Sequence, residues 1–314
     1  MIGATTRRHG ATLAAIAVAL AFPLLARALG QEFYVGFASR VLILALLASS
    51  LNLVVGLGGM VSLGHAALFG AGAYVVGIAA AEIGPGTSAL LTWPLAMAAG
   101  ALLALLIGAI SLRTHGVYFI MITLAFAQMV YYVFVSLKTW GGDDGLSLAR
   151  RSSLPGLSLA DDVAFYYVVL ALCAAALVAL ARLARSRFGV VLVGIRDNEP
   201  RMASLGYPTF RFKLVAFVIS GALAGLAGAL MANQNNFVSP NMMHWEQSGV
   251  ALVMVILGGL ASPWGGLAGA AAFLVLEEVL SAFTRHWQIA LGVILLLVVF
   301  FAPRGIAGVF ERRR

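Results

Sequence analysis

Long apolar runs recur along the whole chain and constrain its fold more than any other feature. Several runs reach about eighteen residues, the length that a helix needs to cross a hydrocarbon core of about 30 Å. In lipid the backbone must satisfy its own hydrogen bonds, so such runs form helices. The alternating pattern of about ten residues that is typical of a membrane β-barrel is absent. The sequence therefore predicts an all-α polytopic membrane protein, with residues 1–314 in a single domain.

The apolar runs predict a bundle of about ten transmembrane helices, with about eight as the lower limit. The predicted spans are 11–29, 38–57, 60–81, 88–111, 116–137, 163–184, 212–232, 247–261, 265–284 and 286–302. Glycine-rich segments at 57–64 and 257–266 interrupt the pattern, and each contains the motif LGGxxS. Irregular backbone at membrane depth must be buried in protein or face water, so we expect broken or re-entrant helices there.

The basic residues are distributed unevenly between the two sides of this topology. With the N-terminus inside the cell, most of the 20 Lys and Arg residues lie on the cytoplasmic side, as the positive-inside rule requires. The net charge of +8 is thus explained by topology. No soluble basic domain or base-stacking motif indicates a nucleic-acid partner. We expect both termini to be cytoplasmic.

The N-terminal segment permits two interpretations. Arg7 and Arg8 precede an apolar stretch, and Ala26-Arg27-Ala28 imitates the cleavage site of a secretory signal. The segment is either retained as the first span or removed, and the topology that follows is the same in both cases.

The sequence lacks the motifs of an ATPase and of a metal enzyme, and an intramembrane protease or transferase is a minor alternative. A P-loop needs a glycine before its lysine, but the two lysines, Lys138 and Lys213, follow leucine and phenylalanine. The five histidines have no metal-binding spacing, and Cys173 is the only cysteine. We therefore expect no metal, no cofactor and no enzymatic activity in this chain, and ATP, where it is used, must be bound by another polypeptide.

Two adjacent carboxylates indicate an alternative to ATP, namely transport that is coupled to an ion gradient. Glu277 and Glu278 lie in an apolar span, where a charge costs several kcal/mol unless it is paired or hydrated. Neighbouring helical positions point about 100° apart, so the two are not expected to form one site. An ion-coupled secondary transporter or channel that uses Glu277 or Glu278 is the alternative function.

Polar residues within the spans are candidates for a translocation pathway. The candidates are Asn52, Ser62, His65, Gln128 and Glu277. The first three bracket a glycine break, a position that often marks a transport pathway. Hydrogen bonding between packed helices explains the same residues, and both interpretations stay open.

One charged segment, Arg185–Lys213, holds eight charged residues and is predicted to be cytoplasmic. We call it the charged island. Asn198 is a good N-cap, Pro200 suits the first turn, and Gly206 suits the position after the end, so a helix is predicted over Glu199–Leu205. A helix of about two turns is not stable alone and must dock. Its docking surface is either its own bundle or a separate protein.

The charged island also carries a family resemblance. Ser186–Leu230, SRFGVVLVGIRDNEPRMASLGYPTFRFKLVAFVISGALAGLAGAL, resembles the signature of branched-chain amino-acid ABC transporter permeases of the LivM type. Similar stretches occur in the family's order: GLGGMVSLGHAALFGAGAY (56–74), HGVYFIMITLAFAQM (115–129), the GGDDGL loop and GGLASPWGGLAGA (258–270). Val190 departs from the pattern, which has an arginine there, and this departure weakens one expected contact to the ATPase.

The resemblance implies a permease subunit of an importer in the bacterial inner membrane. It would form a heterodimer with a related permease, dock two cytoplasmic ABC ATPases that bind ATP, and receive its cargo from a periplasmic or lipid-anchored binding protein. Transport of branched-chain or other hydrophobic amino acids would proceed by alternating access; urea, amides and aromatic acids are other cargoes that the resemblance admits. The residues expected to couple to the ATPases are Arg196, Asp197, Asn198, Glu199, Arg201, Met202, Leu205 and Gly206.

Overall fold

A computed structural model gives the fold and describes residues 18–27, 30–260, 262, 264–283, 285–301 and 305–306. The described chain is predominantly helical, which confirms the predicted all-α polytopic class. The helices are α1 (Val18–Arg27), α2 (Phe33–Asn52), α3 (His65–Glu82), α4 (Ala89–Ser111), α5 (Val117–Ser136), α6 (Asp162–Arg185), α7 (Arg187–Asp197), α8 (Glu199–Ser204), α9 (Thr209–Asn235), α10 (Trp245–Gly258), α11 (Gly265–Phe283) and α12 (Trp287–Phe301). Two short strands, β1 (Leu146–Ser147) and β2 (Phe237–Val238), pair antiparallel.

Seven helices in the described part of the chain are long and apolar enough to cross a membrane. These are α2 with the turn that follows it, α3, α4, α5, α6, α9 and α11. The apolar helices α1, α10 and α12 are shorter. The protein is therefore multi-pass, and a total of about ten crossing helices stays a prediction.

Both glycine-rich segments break the helical structure. After α2 the chain forms a π-helical turn, Leu53–Leu57, and regular helix resumes at His65. Gly59 has a φ of +67°, a conformation that favours glycine. The second break separates α10 from α11, and its Gly259 has a φ of +109°. The broken helices that the sequence predicted are confirmed.

Helix α9 lies at the centre of the bundle and packs against α2, α3 and α4. Glycines allow this contact to be close: a Cβ at Gly225 would overlap the carbonyl oxygen of Ala96 in α4. Gly269 allows a similar approach of α11 to α10, because a Cβ there would overlap the carbonyl oxygen of Met254. These are the small-residue contacts that membrane helices use in place of a hydrophobic driving force.

The ends of the helices define two sides of the bundle. Helices α7 and α8 lie beside the first break and the α4–α5 loop, and we call this the island side. The strands β1 and β2 lie at the other ends of the helices, on what we call the opposite side. There Arg151 anchors the α5–α6 loop through hydrogen bonds to the carbonyl oxygens of Asn233 and Leu159 and an ion pair with Asp162.

Candidate functional site

The charged island folds into α7 and α8, which meet at Asn198. The Asn198 side chain accepts a hydrogen bond of 3.0 Å from the backbone N–H of Arg201 and so caps α8. Pro200 lies in the first turn, and Gly206 follows the end of the helix with a φ of +87°. The predicted capped helix is confirmed, with Ser204 as its last residue. The apolar stretch before it, Val190–Ile195, is part of α7.

Glu199 ties α8 to the central helix. Its Oε1 lies 2.6 Å from Nζ of Lys213 in α9, and its Oε2 lies 3.4 Å from Nε2 of His115. Partial burial of the Glu199 carboxyl opposes ionisation, but the hydrogen bond and charge of Lys213 outweigh it and hold the pKa below its ordinary value. Because the Lys213 side chain is only 5% exposed, the carboxylate neutralises a charge that has little contact with water.

Arg196 ties α7 to the first helix break. Its Nη1 donates a hydrogen bond of 2.7 Å to the carbonyl oxygen of Gly56, in the π-helical turn. Its Nε and Nη2 donate to Oδ1 of Asp197. The Arg196 methylene groups lie where a side chain at Gly59 would be. The island therefore contacts both the central helix and the break through charged side chains.

Other residues of the island face outward. Val190 and Leu205 are 67% and 65% exposed, and Tyr207 and Arg201 are exposed as well. Met202 is half-buried against Gly194, and α8 has no buried residue. These apolar side chains are exposed although they lie outside the membrane-crossing helices, which makes the island a candidate for a protein interaction surface.

A cavity of about 480 Å³ lies between the island, the first break and the α4–α5 loop. Arg196, Glu199, Lys213 and His115 line it together with the glycines of the break. The charged groups that hold the island therefore line this cavity.

His65 of the predicted pathway joins α3 to α9. Its Nε2 lies 2.8 Å from Oγ of Ser220, which in turn donates to the carbonyl oxygen of Ser50. A serine hydroxyl has one proton, so Nε2 of His65 is the donor in the first contact. His65 is fully buried, and its ring also contacts the ring of Phe217 in α9 edge-on, so its observed contacts join helices within the bundle.

Asn52 and Ser62 also make contacts within the bundle. The Asn52 side chain donates a hydrogen bond of 2.9 Å to the carbonyl oxygen of Ser262, which connects the first break to the second. Ser62 accepts from the backbone N–H of Gly64. Gln128 in α5 is half-buried. These three residues and His65 do not belong to the described lining of a second, wider cleft, which has a volume of about 740 Å³.

That cleft, of about 740 Å³, opens on the opposite side between α2, α9, α10, α11 and α12. Glu277 lines it, and its Oε1 lies 3.7 Å from Nη2 of Arg40. Glu278 is exposed and belongs outside the described lining. Glu277 is thus the one predicted pathway residue that the described structure brings to the cleft.

Two charged residues of this cleft were missed from the sequence. Arg40 falls near the start of the predicted span 38–57, but α2 begins at Phe33 and places Arg40 about two turns inside the helix. A basic residue within an apolar run was the signal that could have identified it. Glu246 lies in the first turn of α10 and carried no comparable signal.

The described structure is that of a multi-pass α-helical membrane protein, and its broken helices around a cleft are an arrangement that is common in transporters. The chain belongs to the family described as the permease component of the branched-chain amino acid transport system, whose model matches residues 33–302. This is a family of transport permease components and not of enzymes. The resemblance found in the sequence is confirmed.

Individual relatives agree with this assignment. The chain is 30% identical over 328 residues to the high-affinity branched-chain amino acid transport system permease protein LivM of Salmonella typhimurium, which covers 97% of this chain and 76% of that protein. It is 29% identical to LivM of Escherichia coli with the same coverage. It is also 28% identical over 125 residues to LivH of Salmonella typhimurium, covering 39% of this chain and 40% of that protein. No solved structure matches the chain.

Proposed function

We propose that the chain is the permease subunit of an ATP-binding-cassette importer that moves branched-chain or other hydrophobic amino acids across the bacterial inner membrane by alternating access. The observation that carries this proposal is the charged island, an exposed pair of short helices tied to the core by Glu199–Lys213 and Arg196–Gly56. Family membership and the names of the LivM relatives support the cargo class.

The energy for transport would come from two separate ABC ATPases. The sequence has no P-loop, so ATP must be bound elsewhere. Val190, Leu205 and Tyr207 supply exposed apolar surface beside Arg201, and this surface would receive the ATPases. The island side would then face the cytoplasm, as would the termini.

Movement of the island would reach the core along two links. Glu199 would transmit it to Lys213 and the central helix, and Arg196 would transmit it to the π-helical turn at Gly56. From there Asn52 connects the first break to Ser262 of the second. The two breaks would therefore move together when ATP binding closes the ATPases, and the cleft would open to the other side.

Two further partners complete the proposed importer. The partial match to LivH supports a related second permease as partner in a heterodimer. A periplasmic or lipid-anchored binding protein would deliver cargo to the opposite side. The ion-coupled alternative has less support, because Glu277 is paired with Arg40 and Glu278 is exposed.

Reconstitution tests the proposed function. The chain would be coexpressed with a candidate second permease and candidate ABC ATPases, purified, and placed in proteoliposomes with a candidate binding protein and labelled leucine. We expect uptake that requires ATP. Uptake by this chain alone, driven by a proton gradient and indifferent to ATP, would contradict the proposal.

A further inference from the structure

We propose that the cleft on the opposite side is a binding site for a free zwitterionic amino acid with an apolar side chain, occupied during translocation. This inference rests on the proposed function, and it adds a cargo site within this chain itself. The cleft has a volume of about 740 Å³, within the range of about 300–1,000 Å³ that is usual for small-molecule sites.

The cleft presents charged groups of both signs to a ligand. Arg40 provides one cation, and Glu277 and Glu246 provide two carboxylates. A ligand with a single charge would leave the group of like charge in the cleft without a partner. A zwitterionic amino acid can pair with both kinds of group. Its carboxylate can accept two hydrogen bonds from the guanidinium of Arg40, and its ammonium can donate hydrogen bonds to the carboxylates.

The contact between Arg40 and Glu277 leaves room for such a ligand. Their charged atoms are 3.7 Å apart, which is longer than the 2.7–2.9 Å or so of a tight charge-assisted hydrogen bond. The Arg40 side chain is 47% exposed and that of Glu277 25% exposed. Both groups are therefore reachable from the cleft, and both are held on helices rather than on loops.

The wall of the cleft accounts for the side chain of the ligand. Leu47, Phe69, Met231, Met254 and Phe273 line it and are buried. An aliphatic side chain would bury its surface among these groups. A polar side chain would lose its hydrogen bonds to water there, which selects for apolar amino acids.

Direct binding tests the site without any need for transport. Labelled leucine would be titrated against the purified assembled complex, without binding protein, for the wild type, Arg40→Gln, Glu277→Gln and the matched control Glu278→Gln. We expect saturable binding that is weakened about tenfold or more in the first two variants and unchanged in the control. Leucinamide and 4-methylpentanoate, which each lack one charge, should compete about tenfold more weakly than leucine.

A charge-exchanged variant separates binding from structural pairing. The double variant Arg40→Glu with Glu277→Arg can still form an ion pair, but the positions of the positive and negative charge are exchanged. We expect the complex to be recovered in wild-type amount and leucine binding to be as weak as in the single variants. Recovery of wild-type leucine binding in the exchanged variant would overturn the proposal. Absence of saturable leucine binding to the wild-type complex, or equal binding in Glu277→Gln and Glu278→Gln, would overturn it as well.

The failure of this inference is distinguishable from failure of the proposed function. A wild-type complex that takes up leucine with ATP, but whose Arg40→Gln and Glu277→Gln variants transport at the rate of the control, would retain the importer function and remove the cleft site. The converse result is a complex that binds leucine with the predicted dependence on Arg40 and Glu277 but shows no uptake that requires ATP. That result would support the cleft site and contradict the importer function.

Discussion

The Nζ atom of Lys213, near the start of α9, lies 2.6 Å from Oε1 of Glu199 in α8. The contact joins a nearly buried lysine of the central helix to the short helix that is exposed on the island side. A helix as short as α8 is not stable by itself, and this ion pair is one of the contacts that hold it in place.

Removal of the Glu199 charge should lower the free energy of unfolding of the protein. Removal of one partner of a buried pair costs about 3–5 kcal/mol, and the partial exposure of Glu199 reduces this to about 2 kcal/mol for Glu199→Gln. The double variant Glu199→Gln with Lys213→Met should recover most of the loss, because no unpaired buried charge remains. Thermal unfolding of the detergent-purified protein measures both, with Arg201→Gln as an exposed control. A single variant as stable as the control would contradict the assignment.

The same pair predicts a dependence of stability on pH. The Glu199 pKa in the folded protein lies below its ordinary value of 4.5, so the contribution of the carboxylate is fully present above pH 4.5. It is lost as the pH falls through the lower folded pKa. The difference in unfolding temperature between wild type and Glu199→Gln should therefore be constant near neutral pH and shrink below pH 4.5. A difference that grows on acidification would contradict the prediction.

The hydrogen bond from Arg196 to the carbonyl oxygen of Gly56 should affect coupling rather than assembly. In Arg196→Met the link between α7 and the first break is lost while the exposed face of the island is kept. We expect the ATPases to copurify and hydrolyse ATP, and the leucine moved per ATP to fall about tenfold. The control is Arg187→Met, an exposed arginine of the same helix. An unchanged transport ratio in Arg196→Met would show that this link is not used.

The close packing of α9 gives a prediction on stability. A Cβ at Gly225 would overlap the carbonyl oxygen of Ala96, so Gly225→Ala should destabilise the bundle by about 1–3 kcal/mol. Gly249→Ala in α10 meets open space and should be neutral or stabilising. Equal unfolding temperatures for the two variants would contradict the close contact.

Local features of this protein could be predicted from the sequence because they depend on neighbouring residues. The α8 helix follows from its cap, proline and glycine, and each helix break follows from a glycine pair. The partner of Glu199 could not be predicted, because its contact with Lys213 depends on how α8 folds back onto α9. His65 and Asn52 were recognised as polar residues within the predicted spans, but the sequence could not decide between a pathway and a hydrogen bond between helices.

The charged pair of the cleft could also be predicted only in part from the sequence. Glu277 was identified as an ionisable residue in an apolar span, which is a signal of composition alone. Its partner Arg40 lies in another helix far away in the chain, and only the packing of α2 against α11 brings the two together.

The central claim is that the ATPases bind to the island. The most direct test is copurification of the ATPases with the Leu205→Asp variant. Leu205 is 65% exposed and outside the spans, so the substitution should leave the fold intact. Leu157→Asp, in an exposed loop on the opposite side, is the matched control. The account predicts that Leu205→Asp lowers the recovered ATPase about tenfold or more, while Leu157→Asp leaves it unchanged. Recovery of the ATPases in wild-type amount with Leu205→Asp would contradict it.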